Sequence, residues 1–288
     1  MKVSVSSYSF QQYINQGKLT QVECVAKAKE MGFETMEFID MAGSCYEEQV
    51  ANAKQIRAEA DRLGVKIAAY TIGANLYQAT PEAQAAEVER LKKQLDIAKI
   101  LGADVMRHDV CYQLGKTGSS RSFDLMLPTL AAAAREVTAY AETLGIRTCS
   151  ENHGYIAQDS DRVERLFNAV NHDNYGLLVD IGNFVCVDEE PAHAVSRVAP
   201  YAVHVHAKDM RVRSQPIGGC KNPTRGCNYF GGTVIGEGDV PVRKCLNILK
   251  RAGYDGVVSI EFEGEGDCIE SIARSKRNLE QIISELVF

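Results

Sequence analysis

The chain has 288 residues, 45% of them apolar and 24% charged, with a formal net charge of −6. That is ordinary globular composition with length enough to bury a core, which excludes a disordered chain, and its acidic balance lacks the concentrated basic footprint on which nucleic-acid binding rests. No stretch approaches a membrane span and the opening M-K-V-S-V-S-S-Y-S-F alternates rather than building an apolar leader, so the expectation is a cytoplasmic protein acting on a small molecule, with no nucleic-acid or membrane partner and a homo-oligomer left open.

In chain order the dominant signal is a short β-branched or alternating run followed by a helical run, recurring eight times. Strands are predicted near 3–8, 35–39, 66–71 and 104–108 in the first half. In the second half they fall near 147–151, 176–180, 202–206 and 257–261. Amphipathic helices are predicted over 22–31, 49–63, 81–101 and 125–144, and a last one over about 269–286 closes the ring. Five of the helices run into glycine just before the next strand, in K-E-M-G-F, D-R-L-G-V, K-I-L-G-A, E-T-L-G-I and K-R-A-G-Y. Glycine there takes the left-handed conformation that stops a helix. Eight strand-then-helix units with short loops imply parallel strands and a (β/α)8 TIM barrel, α/β in class, read as one domain over 1–288. An open doubly wound sheet would instead carry a glycine-rich phosphate turn after its first strand, and none follows Ser7 or Tyr8.

Such barrels carry their chemistry where the strands finish. The fifth strand runs into S-E-N-H-G (Glu151, Asn152, His153) and the sixth into V-D-I-G-N (Asp180, Asn183). The seventh runs into H-V-H-A-K-D (His204, His206, Lys208, Asp209) and the eighth into S-I-E-F-E (Glu261, Glu263). Four consecutive strands thus bring a carboxylate or imidazole to one mouth. Neighbouring strands stand ~4.8 Å apart, so Glu151, Asp180, His206 and Glu261 can converge on one divalent cation. Three carboxylates and an imidazole suit Mn²⁺ (favoured), Mg²⁺ or Co²⁺, with Zn²⁺ possible. His206 is preferred to His204 because it lies nearer the strand end; His204 then fills a lower layer. Rim carboxylates open to water are the bland alternative, and a buried carboxylate after an apolar strand needs a partner.

Glu37 and His108 also lie on strands and are candidates to reach the substrate, against a solvated carboxylate and a hydrogen-bonded core histidine. His153 and Lys208 are stronger auxiliaries, since a lysine beside a metal can hold a substrate oxygen. The long segment 210–235, with Arg211, Arg213, Lys221, Arg225 and Tyr229, is expected to cover the mouth and select substrate rather than to be a disordered connection. His172 and His193 read as surface. Nine scattered cysteines without a C-x-x-C pair read as reduced thiols, Cys220 and Cys227 included.

Taken together, E-N-H, D-I-G-N, H-x-K-D and I-E-F, with G-E-G-D-V at 236–240, resemble the xylose-isomerase-like superfamily of sugar isomerases and epimerases, which is also similar to endonuclease IV. The resemblance covers essentially the whole chain. It implies that Glu151, Asp180, His206 and Glu261 are metal ligands. It also implies that Glu151 and Glu261 move a proton on opposite faces of an α-hydroxy carbonyl sugar, through an enediolate held by the cation, with Asn183 among the substrate-binding groups. Two features depart from the epimerase branch: Asn183 stands where a histidine is usual, and H-G-Y-I-A-Q replaces a glutamate and an arginine. The rival reading within enzymes is a lyase that cleaves a 3-oxo-glycoside or dehydrates a keto-sugar or inosose, in some relatives with a partner subunit. An endonuclease IV-like site needs a histidine-rich multi-metal cluster, which six histidines in all argue against. A silent barrel that only binds sugar is the reading from outside catalysis.

Overall fold

The computed structural model describes residues 1–287. Seven strands follow one another around a barrel: β1 (Lys2–Ser6), β2 (Thr35–Ile39), β3 (Lys66–Ile72), β4 (Val105–His108), β5 (Arg147–Glu151), β6 (Tyr175–Asp180) and β7 (Ala202–Ala207). The chain then forms a separate antiparallel sheet from β8 (Asp209–Arg213), β9 (Asn222–Pro223) and β10 (Tyr229–Thr233), before β11 (Val257–Ile260) closes the barrel between β7 and β1. Every barrel pairing is parallel. The helices are α1 (Gln11–Asn15), α2 (Gln21–Glu30), α3 (Tyr46–Leu63), α4 (Pro81–Leu101), α5 (Phe123–Thr143), α6 (Ser160–Val170), α7 (Pro191–Val198), α8 (Val242–Arg251) and α9 (Cys268–Ser284). The strand-then-helix alternation thus gives the (β/α)8 barrel expected from the sequence.

Local chemistry sets the ends of these elements. Thr20 and Glu23 form a reciprocal capping box at the start of α2, and Thr80 caps α4 ahead of Pro81 at its first position. All five helix-stopping glycines have positive φ: Gly32 (80°), Gly64 (65°), Gly102 (71°), Gly145 (69°) and Gly253 (93°). A side chain at Gly145 would meet no atom within 4 Å, so only its backbone conformation resists substitution. Gly145→Ala is therefore expected to cost roughly 1–2 kcal/mol of stability, read from the urea midpoint, with no effect on the site. β1 stops at Ser6, short of the predicted 8, because the Ser6 hydroxyl accepts from the Tyr8 amide and turns Ser7–Phe10 into a 3₁₀ helix.

Alternation along the strands sorts the barrel into layers. Ala69, Val105, Cys149 and Leu178 form a small apolar cluster of their own, apart from the large core between strands and helices. Two residues further along the same four strands stand Thr71, Arg107, Glu151 and Asp180, all buried. The interior thus turns from apolar to charged within one strand period as it nears the C-terminal mouth. The segment 210–235 contains β9, β10 and all but the first residue of β8. It is tied to the body by Asp188, which accepts from the Thr224 hydroxyl (2.7 Å) and Asn228 Nδ2 (3.0 Å), and by Arg225 on Asp159 (2.9 Å). Among the described residues no helix is long and apolar enough to cross a membrane, and no cysteine is paired.

Candidate metal centre

Glu151 ends β5, Asp180 ends β6, His206 lies at the end of β7, and Glu261 follows β11 by one residue. One donor atom from each lies within 4.8 Å of the others, and all four side chains are buried. His206 Nδ1 sits at the focus, 3.6 Å from Glu151 Oε1, 3.7 Å from Glu261 Oε1 and 3.9 Å from Asp180 Oδ2. These separations are too long for hydrogen bonds and of the order expected of atoms that share a cation at ~2.0–2.2 Å each. His206 Nδ1 is buried without a hydrogen bond, as is Asp180 Oδ2 apart from its ion pair with Lys208, and buried polar atoms are seldom left so. Three hard oxygens and one imidazole nitrogen therefore fit a divalent cation.

The surrounding residues aim each donor. Asp180 Oδ1 accepts from the Gly182 and Asn183 amides (2.7 and 3.0 Å), which leaves Oδ2 for the focus. Gly182 is required in that turn, since a β-carbon there would stand 2.6 Å from the Lys208 carbonyl oxygen. Asn152 latches β5 to β6 by donating to the Asp180 carbonyl (2.8 Å) and accepting from its amide (2.9 Å). Asn183 Nδ2 donates to Glu151 Oε1 (3.0 Å) while its Oδ1 accepts from Lys208 Nζ (3.2 Å).

Beneath the focus, Glu37 bridges two imidazoles, with Oε1 2.8 Å from His206 Nε2 and Oε2 2.6 Å from His204 Nε2. Burial would raise the Glu37 carboxyl, but the two facing histidines outweigh it and hold it far below the usual carboxylate range. His206 Nε2 and Glu37 Oε1 are in close contact without the alignment of a hydrogen bond, and with Nε2 turned to Glu37 it is Nδ1 that faces the focus. Glu37→Gln is expected to weaken divalent-metal affinity by ~10–100-fold with the fold retained, as measured by isothermal titration.

Two buried cations flank the focus. Lys208 Nζ contacts Glu261, Asp180 Oδ2 (3.3 Å) and Glu263 Oε2 (3.6 Å). Arg107 pairs with Glu151 and, at 3.3 Å, with Asp109, and donates to the Ile72 carbonyl at 3.0 Å. Asp109 also accepts from the Tyr112 hydroxyl (2.7 Å) and lies 2.9 Å from His153 Nδ1. Burial works against a charged His153, but the bond to Asp109 prevails and raises it above the ordinary histidine value. Asp180 is raised as well, which for a carboxyl favours the neutral form: burial, with the charges of Glu151 and Glu261, brings it to about 7 despite Lys208.

A cavity of about 330 Å³ opens above this cluster, with Glu151, Glu261, Lys208, His153, Arg107 and Asp109 in its wall. A larger groove of about 830 Å³ runs between α8 and α9 on the outside of the barrel, and none of these residues lines it. The structure thus brings together Glu151, Asp180, His206, Glu261, His153 and Lys208, while the five expected substrate contacts lie outside the cavity wall. Glu37 is fully buried under His206 and does not reach the cavity. His108 points out of the barrel, its Nδ1 2.9 Å from the Asp109 carbonyl oxygen and its ring near Tyr175, where burial lowers its pKa. Arg211 and Arg213 turn towards Glu237 and Asp239 on the far side of β8. Asn183 holds Glu151 and Lys208 rather than lining the cavity.

Sequence reading missed Arg107, Asp109, Tyr8 and Tyr112. The signal for the first was present. Counting by twos from Val105 puts Arg107 inside and His108 outside.

Residues 25–285 match the model of the xylose isomerase-like TIM barrel. The chain belongs to that family. Among similar proteins, the rhizopine catabolism protein MocC of Rhizobium meliloti is 26% identical over 274 residues, 90% of this chain and 80% of that protein. An inosose dehydratase of Lacticaseibacillus casei is 26% identical over 144 residues, and the match spans only about half of each protein (46%). Of solved structures, the zinc-containing IOLI protein superposes with a TM-score of 0.77 at 16% identity, covering 100% of this chain and 99% of that one. At that identity the likeness is one of fold.

Proposed function

We propose that this member of the family is a divalent-metal-dependent isomerase or epimerase of a sugar or sugar derivative, with Mn²⁺ as the favoured ion and Glu151, Asp180, His206 and Glu261 as ligands. The observation that carries the reading is the convergence of those four buried donors on one point beneath a cavity. A bound cation would supply Lewis acidity towards a carbonyl and its neighbouring hydroxyl.

The chain's own groups would do the rest. In barrel order β6 and β7 separate β5 from β11, so Glu151 and Glu261 face the focus from different sides. One carboxylate takes the proton from the carbon beside the carbonyl, and the other returns a proton to the opposite face, which inverts that centre; return by one group to the neighbouring carbon gives isomerisation. Arg107 and Asn183 fix Glu151, and Lys208 fixes Glu261. Lys208 Nζ also stands where it can donate to an oxygen gaining negative charge.

A lyase is the second reading, and a specific observation favours it. His153, set by Asp109, lines the cavity without belonging to the ligand set. Such a group can protonate a departing hydroxyl or aglycone after the same C–H bond is broken, and relatives named as inosose dehydratases support that possibility. The test is incubation of the Mn²⁺-loaded protein in heavy water with ketoses, inososes and 3-oxo-glycosides. Deuterium in a stereoisomer or positional isomer supports the first reading, and metal-dependent loss of water or aglycone supports the second. Absence of both exchange and elimination, or their persistence after chelation, refutes both.

A further inference from the structure

We propose that the cavity takes an uncharged polyhydroxy ketone of monosaccharide size and rejects its phosphate esters, an inference that rests on the proton-transfer reading above. Charge is the first argument. Five carboxylates, those of Asp40, Asp109, Glu151, Glu261 and Glu263, line the cavity, with Asp180 at its floor. Arg107 and Lys208 are its only lysine or arginine among the described residues, and each is already held by two or more of those acids. A divalent cation would offset only part of this excess, and the remaining cationic group of the wall, His153, is held by Asp109. Carboxylates with spare lone pairs, by contrast, accept hydrogen bonds from sugar hydroxyls, as the Tyr8 and Tyr112 hydroxyls and Thr71 in the same wall also can.

The second argument is independent of the cavity. Barrels that bind phosphate esters commonly do so at backbone amides in the loops after the last strands, next to a helix N-terminus. Here that loop, 236–240, leads into α8 and its amides are already taken. The buried Asp209 carboxylate accepts from Gly236 (2.8 Å), Gly238 (3.0 Å), Val240 (3.2 Å) and Met210 (2.8 Å). It is wedged so closely that a β-carbon at Gly238 would lie 2.1 Å from Asp209 Oδ1. The amides of this loop are thus not free to hold a phosphate. Two cations of the segment 210–235, none of whose residues lines the cavity, are paired as well, Lys221 with Glu265 (2.8 Å) and Arg225 with Asp159 (2.9 Å). Size agrees, because about 330 Å³ is at the small end for a ligand cavity.

Isothermal titration of the full-length Mn²⁺-loaded protein with fructose, tagatose, their 6-phosphates and 2-keto-myo-inositol tests this. At least one neutral compound is expected to bind, with the phosphate esters at least ~100-fold weaker. An ester that binds as tightly as its parent sugar, or failure of every neutral compound to bind, overturns the inference. Deuterium exchange on the same compounds separates the two ideas. Binding of neutral ligands without exchange sinks the proton-transfer reading and leaves the ligand class standing. Exchange into the esters alone does the reverse.

Discussion

Replacing Glu261 with glutamine is expected to lower metal-dependent deuterium exchange by ~10³-fold while the circular-dichroism spectrum stays that of the wild type. The substitution keeps the side-chain volume, so no cavity opens in a region where Glu261 is only 7% exposed. It removes the negative charge opposite Lys208, but Lys208 keeps Asp180 and Glu263 as partners, which limits the structural cost. What is lost is an oxygen that both faces the focus and can carry a proton. Stopped exchange with unchanged metal content assigns the loss to proton transfer; loss of metal along with exchange assigns it to ligation. Unchanged exchange contradicts the role given to this residue.

Divalent metal is expected to raise the melting temperature by about 10 °C at an ion concentration ~1,000 times the dissociation constant, equivalent to ~4 kcal/mol. The metal-free site holds three buried carboxylates close together, and one of them, Asp180, ionises only at about pH 7 instead of its ordinary 3.8. Between those two pH values the native metal-free protein keeps a proton that the unfolded chain has released. Its stability therefore falls as pH rises through that window. A cation takes the place of that proton, so binding strengthens as pH rises through about 7. The metal-induced rise in melting temperature should accordingly be larger at pH 8 than at pH 6, by scanning calorimetry with and without chelator. A rise that is equal at both pH values, or absent, contradicts the site.

The barrel was legible in the sequence because its signals are local. Alternation, helical periodicity and the stops at Gly32, Gly64, Gly102, Gly145 and Gly253 each act within a few residues, and the ends of β2 and α4 were read correctly to the residue. The convergence of Glu151, Asp180, His206 and Glu261 was legible because closing a parallel barrel puts all strand ends at one mouth. Glu37 was misread because its role depends on depth. It stands on β2, across the barrel from His204 and His206, and only the strand stagger places it under their rings rather than above them. On β4 it is strand alternation, not closeness to the strand end, that decides which side chain faces the interior, so Arg107 reaches the site and His108 does not. The sheet of β8–β10 was beyond reach for a further reason: β9 is two residues long and β10 carries two adjacent glycines, so neither has a strand's periodicity.

Equilibrium dialysis of the metal-stripped protein against Mn²⁺, with metal analysis of the retentate, tests the four-donor site most directly. The geometry predicts one ion per chain, with occupancy at the same free Mn²⁺ collapsing in Asp180→Asn and His206→Gln although both variants fold. One ion retained with equal affinity in both variants, or no ion bound by the wild type, would contradict it.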